Sequence, residues 1–174
     1  METSSRKKIA AFLRVNHAGE SAAVRLYEGQ LAVLSKSKSA EDLRHMLVQE
    51  QKHKQKFDTA LRQHDVSPSL LNPIWHKVSY GLGVFTALLG TKEAMDCTIA
   101  VEEVIETHYK GQLDGFPQGG QHEHVQTLIQ NCYHDEIAHK NIAAEHNRKT
   151  VPSTPLVRAI KAGCKIAIWL SQRI

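Results

Sequence analysis

Apolar residues along this chain recur at intervals of three, four and seven, and stretches that alternate at period two are almost absent. The pattern predicts helices over 6–34, 40–65, 73–89, 92–113, 121–148 and 154–172. Breaks fall where turn-forming residues gather: SKSKS at 35–39, SPSLLNP at 67–73, GQLDGFPQGGQ at 111–121 and TVPSTP at 150–155. In the first predicted helix Leu13, Val24, Tyr27, Leu31 and Leu34 form one apolar stripe, and Glu20 sits inside it. The second carries Leu43, Met46, Leu47, Phe57 and Leu61, with Glu50 and His53 filling the middle of the stripe. The fourth runs through Met95, Thr98, Ile99, Ile105 and Tyr109 around Glu102. The fifth runs through Val125, Leu128, Ile129, Cys132 and Ala143 around Glu136 and His139.

Four helices thus place a carboxylate on an apolar face, and two of them add a histidine one turn later, as Glu-x-x-His. The Glu-x-x-His spacing alone is a weak signal; the shared register is what carries weight. Four buried carboxylates without partners would cost several kcal/mol each or take up protons. Two divalent cations would balance their charge, and oxygen donors with two imidazoles suit iron or manganese. One Glu from each of two helices plus Glu-x-x-His from each of two others is the ferritin-like di-iron or di-manganese arrangement of a four-helix bundle. Register favours Glu102 over its neighbour Glu103, which turns about 100° away. Glu20 precedes Glu50 by 30 positions and Glu102 precedes Glu136 by 34, as two αα-hairpins would require.

Around this core the reading stays open. His108 and Tyr109 follow Glu102 on its own helix, either beside the site or in ordinary polar packing. Asp135 either orients a ligand histidine or faces water. Glu103, Glu106, His45, His64, His122, His124, His134 and His146 are read as surface residues, since charged groups are mostly exposed. Gly19 and Gly29 each cost a helix about 1 kcal/mol relative to Ala. Close backbone packing accounts for such glycines, and for Gly19 so does the approach of a substrate beside Glu20.

The third and sixth predicted helices bring no ligands. The uncharged run VSYGLGVFTALLGT is 14 residues long, short of the roughly 18 to 20 that a membrane span requires. The sixth mixes Leu156, Val157, Ile160, Ile166, Ile168, Trp169 and Leu170 with Arg158, Lys161, Lys165 and Arg173, as helices lying in a membrane interface do. Trp75, Tyr80 and Trp169 are candidates for anchoring at headgroup depth. Packing against the bundle or another subunit is the competing reading of both helices.

Length and composition narrow the class without changing this picture. At 174 residues, residues 1–174 are expected to form a single domain. Lys and Arg give a net charge of only +4 and are scattered along the chain, unlike a nucleic-acid reader. An anionic surface such as a membrane fits better. Cys97, Cys132 and Cys164 form no Cys-x-x-Cys pair, so a reducing compartment is expected and a thiolate zinc site is not. Arg14 interrupts the start METSSRKKIAAFLRVN before an apolar signal-peptide core develops.

With these residues in place, the chain resembles the demethoxyubiquinone hydroxylase family of quinone-biosynthesis di-iron monooxygenases from about Arg14 to Ile174. The resemblance is carried by LRVNHAGESAA (13–23), LYEGQLAVL (26–34), QEQKHKQKF (49–57), the NPIW, GLG and TALLG segments of 72–90, KEAMDCTIAVEEVIETHY (92–109), DEIAH (135–139) and AGCKIAIWLSQRI (162–174). It implies an all-α, ferritin-like four-helix bundle with a di-iron core plus two apolar, membrane-interfacial helices. The iron ligands would be Glu20, Glu50, His53, Glu102, Glu136 and His139, with Glu50 and Glu102 as bridges. The implied reaction is hydroxylation of the ring of a polyprenylated demethoxy-benzoquinol with O2 and two electrons, drawn from NADH or from the quinol itself. His108 and Tyr109 match residues thought to assist that electron transfer. The resemblance also implies peripheral attachment to a membrane, and the lack of a leader suggests the cytoplasmic side of a bacterial cytoplasmic membrane. It leaves room for a homo-oligomer and for protein partners in quinone biosynthesis. A ferritin-like iron-oxidising or storage protein would share the ligand set, though it has no use for the apolar third and sixth helices. A rubrerythrin-like peroxide reductase would ordinarily bring Cys-x-x-Cys pairs, and a purely structural bundle leaves the central carboxylates unexplained.

Overall fold

The computed structural model describes residues 2–117, 122–146 and 154–174, and among these every regular element is helical. The helices are α1 Glu2–Leu34, α2 Ala40–Gln63, α3 Asn72–Leu89, α4 Thr91–Asp114, α5 Glu123–Glu145 and α6 Pro155–Ser171. Their bounds differ from expectation mainly at the ends. The first helix starts four residues earlier than the apolar stripe announced, because its first turn is polar and carries no periodicity. The second stops at Gln63, where Asp65 turns to a φ of 55° and the Val66 amide bonds back to Leu61. The fourth runs on through Gly111, with a Lys110–Asp114 pair in its last turn. Of the fifth predicted helix, residues 121, 147 and 148 lie outside the described residues, as do 150–153 of the following break.

Seven residues to either side of each central carboxylate, every ligand-bearing helix contributes to a core layer. Leu13, Phe57, Tyr109 and Ile129 belong to one apolar cluster. Tyr27, Leu43, Met95 and Ala143 belong to another. The first layer comes before the Glu on α1 and α5 and after it on α2 and α4, so α1 and α5 run one way and α2 and α4 the other. The carboxylates lie between the two layers. This is the ferritin-like bundle, built from two antiparallel hairpins, α1 with α2 and α4 with α5.

α3 carries the chain back to the end where α2 began. It runs alongside α1 in the same sense, with Asn72 near His17 at one end and Gly83 against Gly29 further on. A Cβ on Gly29 would stand 2.3 Å from the Tyr80 carbonyl, and one on Gly83 would stand 2.2 Å from that of Leu26. Only glycines allow this crossing. α3 and α4 are then joined by Gly90 alone, whose φ of 137° suits a residue without a Cβ. Because α1 packs on α2 with one face and on α3 with another, it is buried well beyond the single stripe read from its sequence: Asn16, His17, Ala18, Ser21 and Gln30 are all buried. α6 lies on α4, where Val157 and Ile160 pack against Cys97, Ala100 and Val101. Trp75 at the start of α3 donates its indole N–H to Ser171 at the end of α6, at 2.9 Å.

Candidate metal centre

Each residue of the expected ligand set projects from the middle of its helix into the space between the core layers, and all six are at most 3% exposed. His53 Nδ1 stands 3.3 Å from Glu20 Oε2, 3.8 Å from Glu136 Oε1 and 4.0 Å from Glu50 Oε2. His139 Nδ1 stands 3.0 Å from Glu50 Oε1 and 3.3 Å from Glu136 Oε2. Two donor groups result, Glu20–Glu50–His53–Glu136 and Glu50–Glu102–Glu136–His139, each with donor atoms within 4.8 Å of one another.

Glu50 and Glu136 are common to both groups. The resemblance implied Glu50 and Glu102 as bridges; in the structure Glu102 belongs to one donor group, and Glu136 is the carboxylate that joins Glu50 in both. The cause is a pair of tyrosines. Tyr27 on α1 donates to Glu102 Oε1 at 2.6 Å, and Tyr109 on α4 donates to Glu20 Oε1. Each tyrosine lies seven residues after the Glu of its own helix and holds the Glu of the other, so Glu20 and Glu102 each keep one oxygen away from the centre.

The histidines are held by a second exchange. His53 Nε2 bonds to Asp135 Oδ2 at 2.8 Å, and His139 Nε2 to Gln49 Oε1 at 2.9 Å. Carboxylate and amide oxygen both accept, so each histidine donates through Nε2 and turns Nδ1 inward. The residue before the Glu in one Glu-x-x-His helix therefore orients the histidine of the other. Asp135, which could have faced water, does this work; Gln49 went unnoticed, although both precede the motif at the same position. The exchange is symmetric in geometry and not in charge, with a carboxylate behind His53 and a neutral amide behind His139.

The centre fits a pair of cations better than it fits its own side chains. Glu20 Oε2, both oxygens of Glu50, Glu102 Oε2 and His53 Nδ1 are buried without a hydrogen-bond partner. Burial and the charge of Glu136 push the carboxyls of Glu50 and Glu102 well above the usual range. Burial and the charge of Glu20 push Glu136 up to about 8. Burial opposes charge on His53, yet the carboxylate of Glu20, 3.3 Å from its Nδ1, raises it to about 9. Burial also opposes charge on Glu20, but His53 holds it below its usual value. Burial lowers His139. Unpartnered oxygens and imidazole nitrogens converging from four helices are the donor chemistry of a divalent iron or manganese pair. Cys132, one turn before Glu136, also reaches the Glu20–His53 side, its thiol pushed up by burial.

Tyr109 touches the centre through Glu20, whereas His108 belongs to neither donor group. It lines a narrow cavity beside the centre, together with Val15, Asn16, Gly19, Glu20, Ile105, Tyr109 and Ile168. Gly19 has open space where a side chain would be, with no atom within 4 Å of a Cβ placed there. Of the residues read as surface, His45, His124 and His134 are exposed. Glu103 pairs with Lys161, Glu106 with Lys140 and His146 with Asp42. His64 sits 2.9 Å from His124 and packs on His122. Sequence reasoning missed Asn16 and Gln112, whose bonds to His108 carry no spacing signature.

No described helix is long and apolar enough to cross a membrane. The chain is 44% identical over 168 residues, 95% of its length and 78% of the relative's, to the 3-demethoxyubiquinol 3-hydroxylase of Rhodospirillum rubrum. It is 40% identical over 175 residues, 99% of the chain and 81% of the relative, to the mitochondrial NADPH-dependent 3-demethoxyubiquinone 3-hydroxylase of Dictyostelium discoideum. The human protein of that same name is 36% identical over 177 residues, 100% of the chain and 82% of the relative. Residues 7–171 match the family described as ubiquinone biosynthesis protein COQ7, and the chain belongs to that family.

Proposed function

We propose that this chain is a single di-iron domain that hydroxylates the ring of a polyprenylated demethoxy-benzoquinol, a monooxygenase step in ubiquinone biosynthesis. The observation that carries the reading is the pair of donor groups sharing Glu50 and Glu136, in a chain whose relatives bear the names of demethoxyubiquinol and demethoxyubiquinone hydroxylases. Glu20 and His53 would hold one iron, Glu102 and His139 the other, with Glu50 and Glu136 between them. Bound iron supplies the reduction of O2 with two electrons, so that one oxygen atom enters a ring C–H bond and the other leaves as water.

The protein's own part is to hold, orient and exclude. Asp135 and Gln49 fix the histidine tautomers, and Tyr27 and Tyr109 keep the outer carboxylates turned. Val15, Gly19, Ala23, Ile105 and Ile168 wall the narrow cavity beside the centre with apolar surface, against which the ring would lie once the cavity widens. His108 and Tyr109 line that cavity together with Glu20, where they would assist electron and proton delivery from NADH, NADPH or the quinol itself. An isoprenoid tail calls for a lipid surface. Ile74, Val78, Phe85, Leu88 and Leu89 on α3 and Ile166 and Trp169 on α6 are exposed apolar residues that would meet one. Peripheral attachment follows, on the reducing cytoplasmic side that three free thiols suit.

The test is incubation of the iron-loaded chain with demethoxyquinol, NADH and isotopically labelled O2, read by mass spectrometry beside Glu50→Ala. The expected product carries one labelled oxygen and is absent with the variant. No labelled product from protein shown to hold two irons would favour a ferritin-like iron-oxidising role.

A further inference from the structure

A buried trio ties α1 to α4 just beyond the metal centre. Asn16, 2% exposed, and Gln112, 3% exposed, pair through both amides: Asn16 Nδ2 donates to Gln112 Oε1 at 2.8 Å, and Gln112 Nε2 donates to Asn16 Oδ1 at 2.9 Å. The second hydrogen of Gln112 Nε2 points at His108 Nε2, 2.8 Å away. An amide NH2 can only donate, so this imidazole nitrogen accepts and the ring hydrogen resides on Nδ1. Asn16 Oδ1 also lies 3.3 Å from His108 Nε2. It is the more distant of the two neighbours, and the Gln112 amide at 2.8 Å takes that nitrogen. The two amides can turn over only together, because turning one alone sets like atoms face to face.

His108 Nδ1 has no hydrogen-bond partner among the described residues. The ring forms the wall between the inner cavity, with Gly19, Glu20 and Tyr109, and an outer pocket with Glu103, Glu106, Lys161 and Lys165. Burial holds its pKa down to about 4, so the ring is neutral at physiological pH. We propose that Asn16 and Gln112 are positioning residues that lock His108 in its Nδ1–H tautomer, making it the hydrogen-bond donor to an oxygen substituent of the bound ring. Substrate recognition here rests on the function proposed above; the tautomer does not. Quinone carbonyls, quinol hydroxyls and methoxy groups all offer such an acceptor, and a hydrocarbon ring does not.

The first arm of the test is nitrogen-15 NMR of the full chain loaded with diamagnetic zinc in place of iron. The expected spectrum places the His108 hydrogen on Nδ1 at neutral pH; a hydrogen on Nε2 overturns the proposal, whatever reaction the enzyme catalyses. The second arm is the isosteric Gln112→Glu variant, which replaces the donor with an acceptor. Its histidine is expected to move the hydrogen to Nε2 and to titrate at higher pH, while metal content stays that of the parent. KM for demethoxyquinol is expected to rise about tenfold with a smaller change in kcat, the loss of roughly one hydrogen bond. A shifted tautomer with unchanged KM would overturn the assignment of His108 as the ring's donor.

Discussion

Glu50 and Glu136 are each held by no hydroxyl, and each lies within reach of both histidines, whereas Glu20 and Glu102 are each turned aside by a tyrosine. Alanine at Glu50 or Glu136 is therefore expected to empty both metal positions. Alanine at Glu20 or Glu102 is expected to leave about one metal per chain, and at Glu103, which only pairs with Lys161, to leave the full complement. Metal analysis after gel filtration decides among these. Removing the metal has a second consequence. Glu136 rises from 4.5 to about 8 and His53 from 6.5 to about 9 in the metal-free fold. A raised pKa means that the folded form binds the proton more tightly, so the stability it contributes is complete at low pH and lost as pH climbs through the folded value. The melting temperature of chelated protein is expected to fall as pH climbs from about 6.5 to 9, since below that range the lowered His108, His139 and Glu20 oppose the trend, and calorimetry with metal restored is expected to show a much flatter profile. The six inward side chains were legible because burial imposes a period that spacing reveals. Which carboxylate is shared was not, because sequence register gives a helix face and says nothing of a tyrosine reaching across from another helix.

At the level of the helices, the stripes on α2 and α5 match the faces they bury, while α4 hides a second face under α6 and α1 hides one under α3. For α1 the signal was Gly29, a glycine inside a helix, which stands at a crossing where the α3 backbone leaves no room for a methyl group. Gly29→Ala or Gly83→Ala is expected to cost about 1–3 kcal/mol or more through forced separation of the backbones. Gly19→Ala meets nothing, and is expected to raise stability by up to about 1 kcal/mol through helix propensity. It also places a methyl group in the cavity beside Glu20, so turnover is expected to drop while the melting temperature holds. Thermal melts and initial rates on the three variants separate the two kinds of glycine. α3 and α6 could not be assigned a neighbour from their sequences, since a lipid and a helix reward the same apolar residues. The structure answers in part: Gly83, Thr86 and Ala87 of α3 face the bundle, and the larger residues of that helix face outward.

On the scale of the whole molecule, α3 and α6 both turn large apolar residues outward, although no described helix is long and apolar enough to cross a membrane. Flotation with anionic vesicles is expected to recover the parent chain, and the paired changes Phe85→Asp and Leu88→Asp are expected to lower recovery several-fold without moving the metal content. Undiminished flotation would return these residues to an interface between protein chains. The glycine crossing bears on how anything long and oily could reach the centre. Since α1 and α3 touch backbone to backbone, they behave as a single beam, and prising them apart would break the scaffold that aims Glu20. The α6 residue on the cavity's wall is Ile168, on a helix that is anchored by Val157 and Ile160 near one end and by Ser171 at the other. Any widening of the cavity to admit a ring would therefore fall to the walls outside that beam, where Ile105 and His108 of α4 and Ile168 of α6 line it.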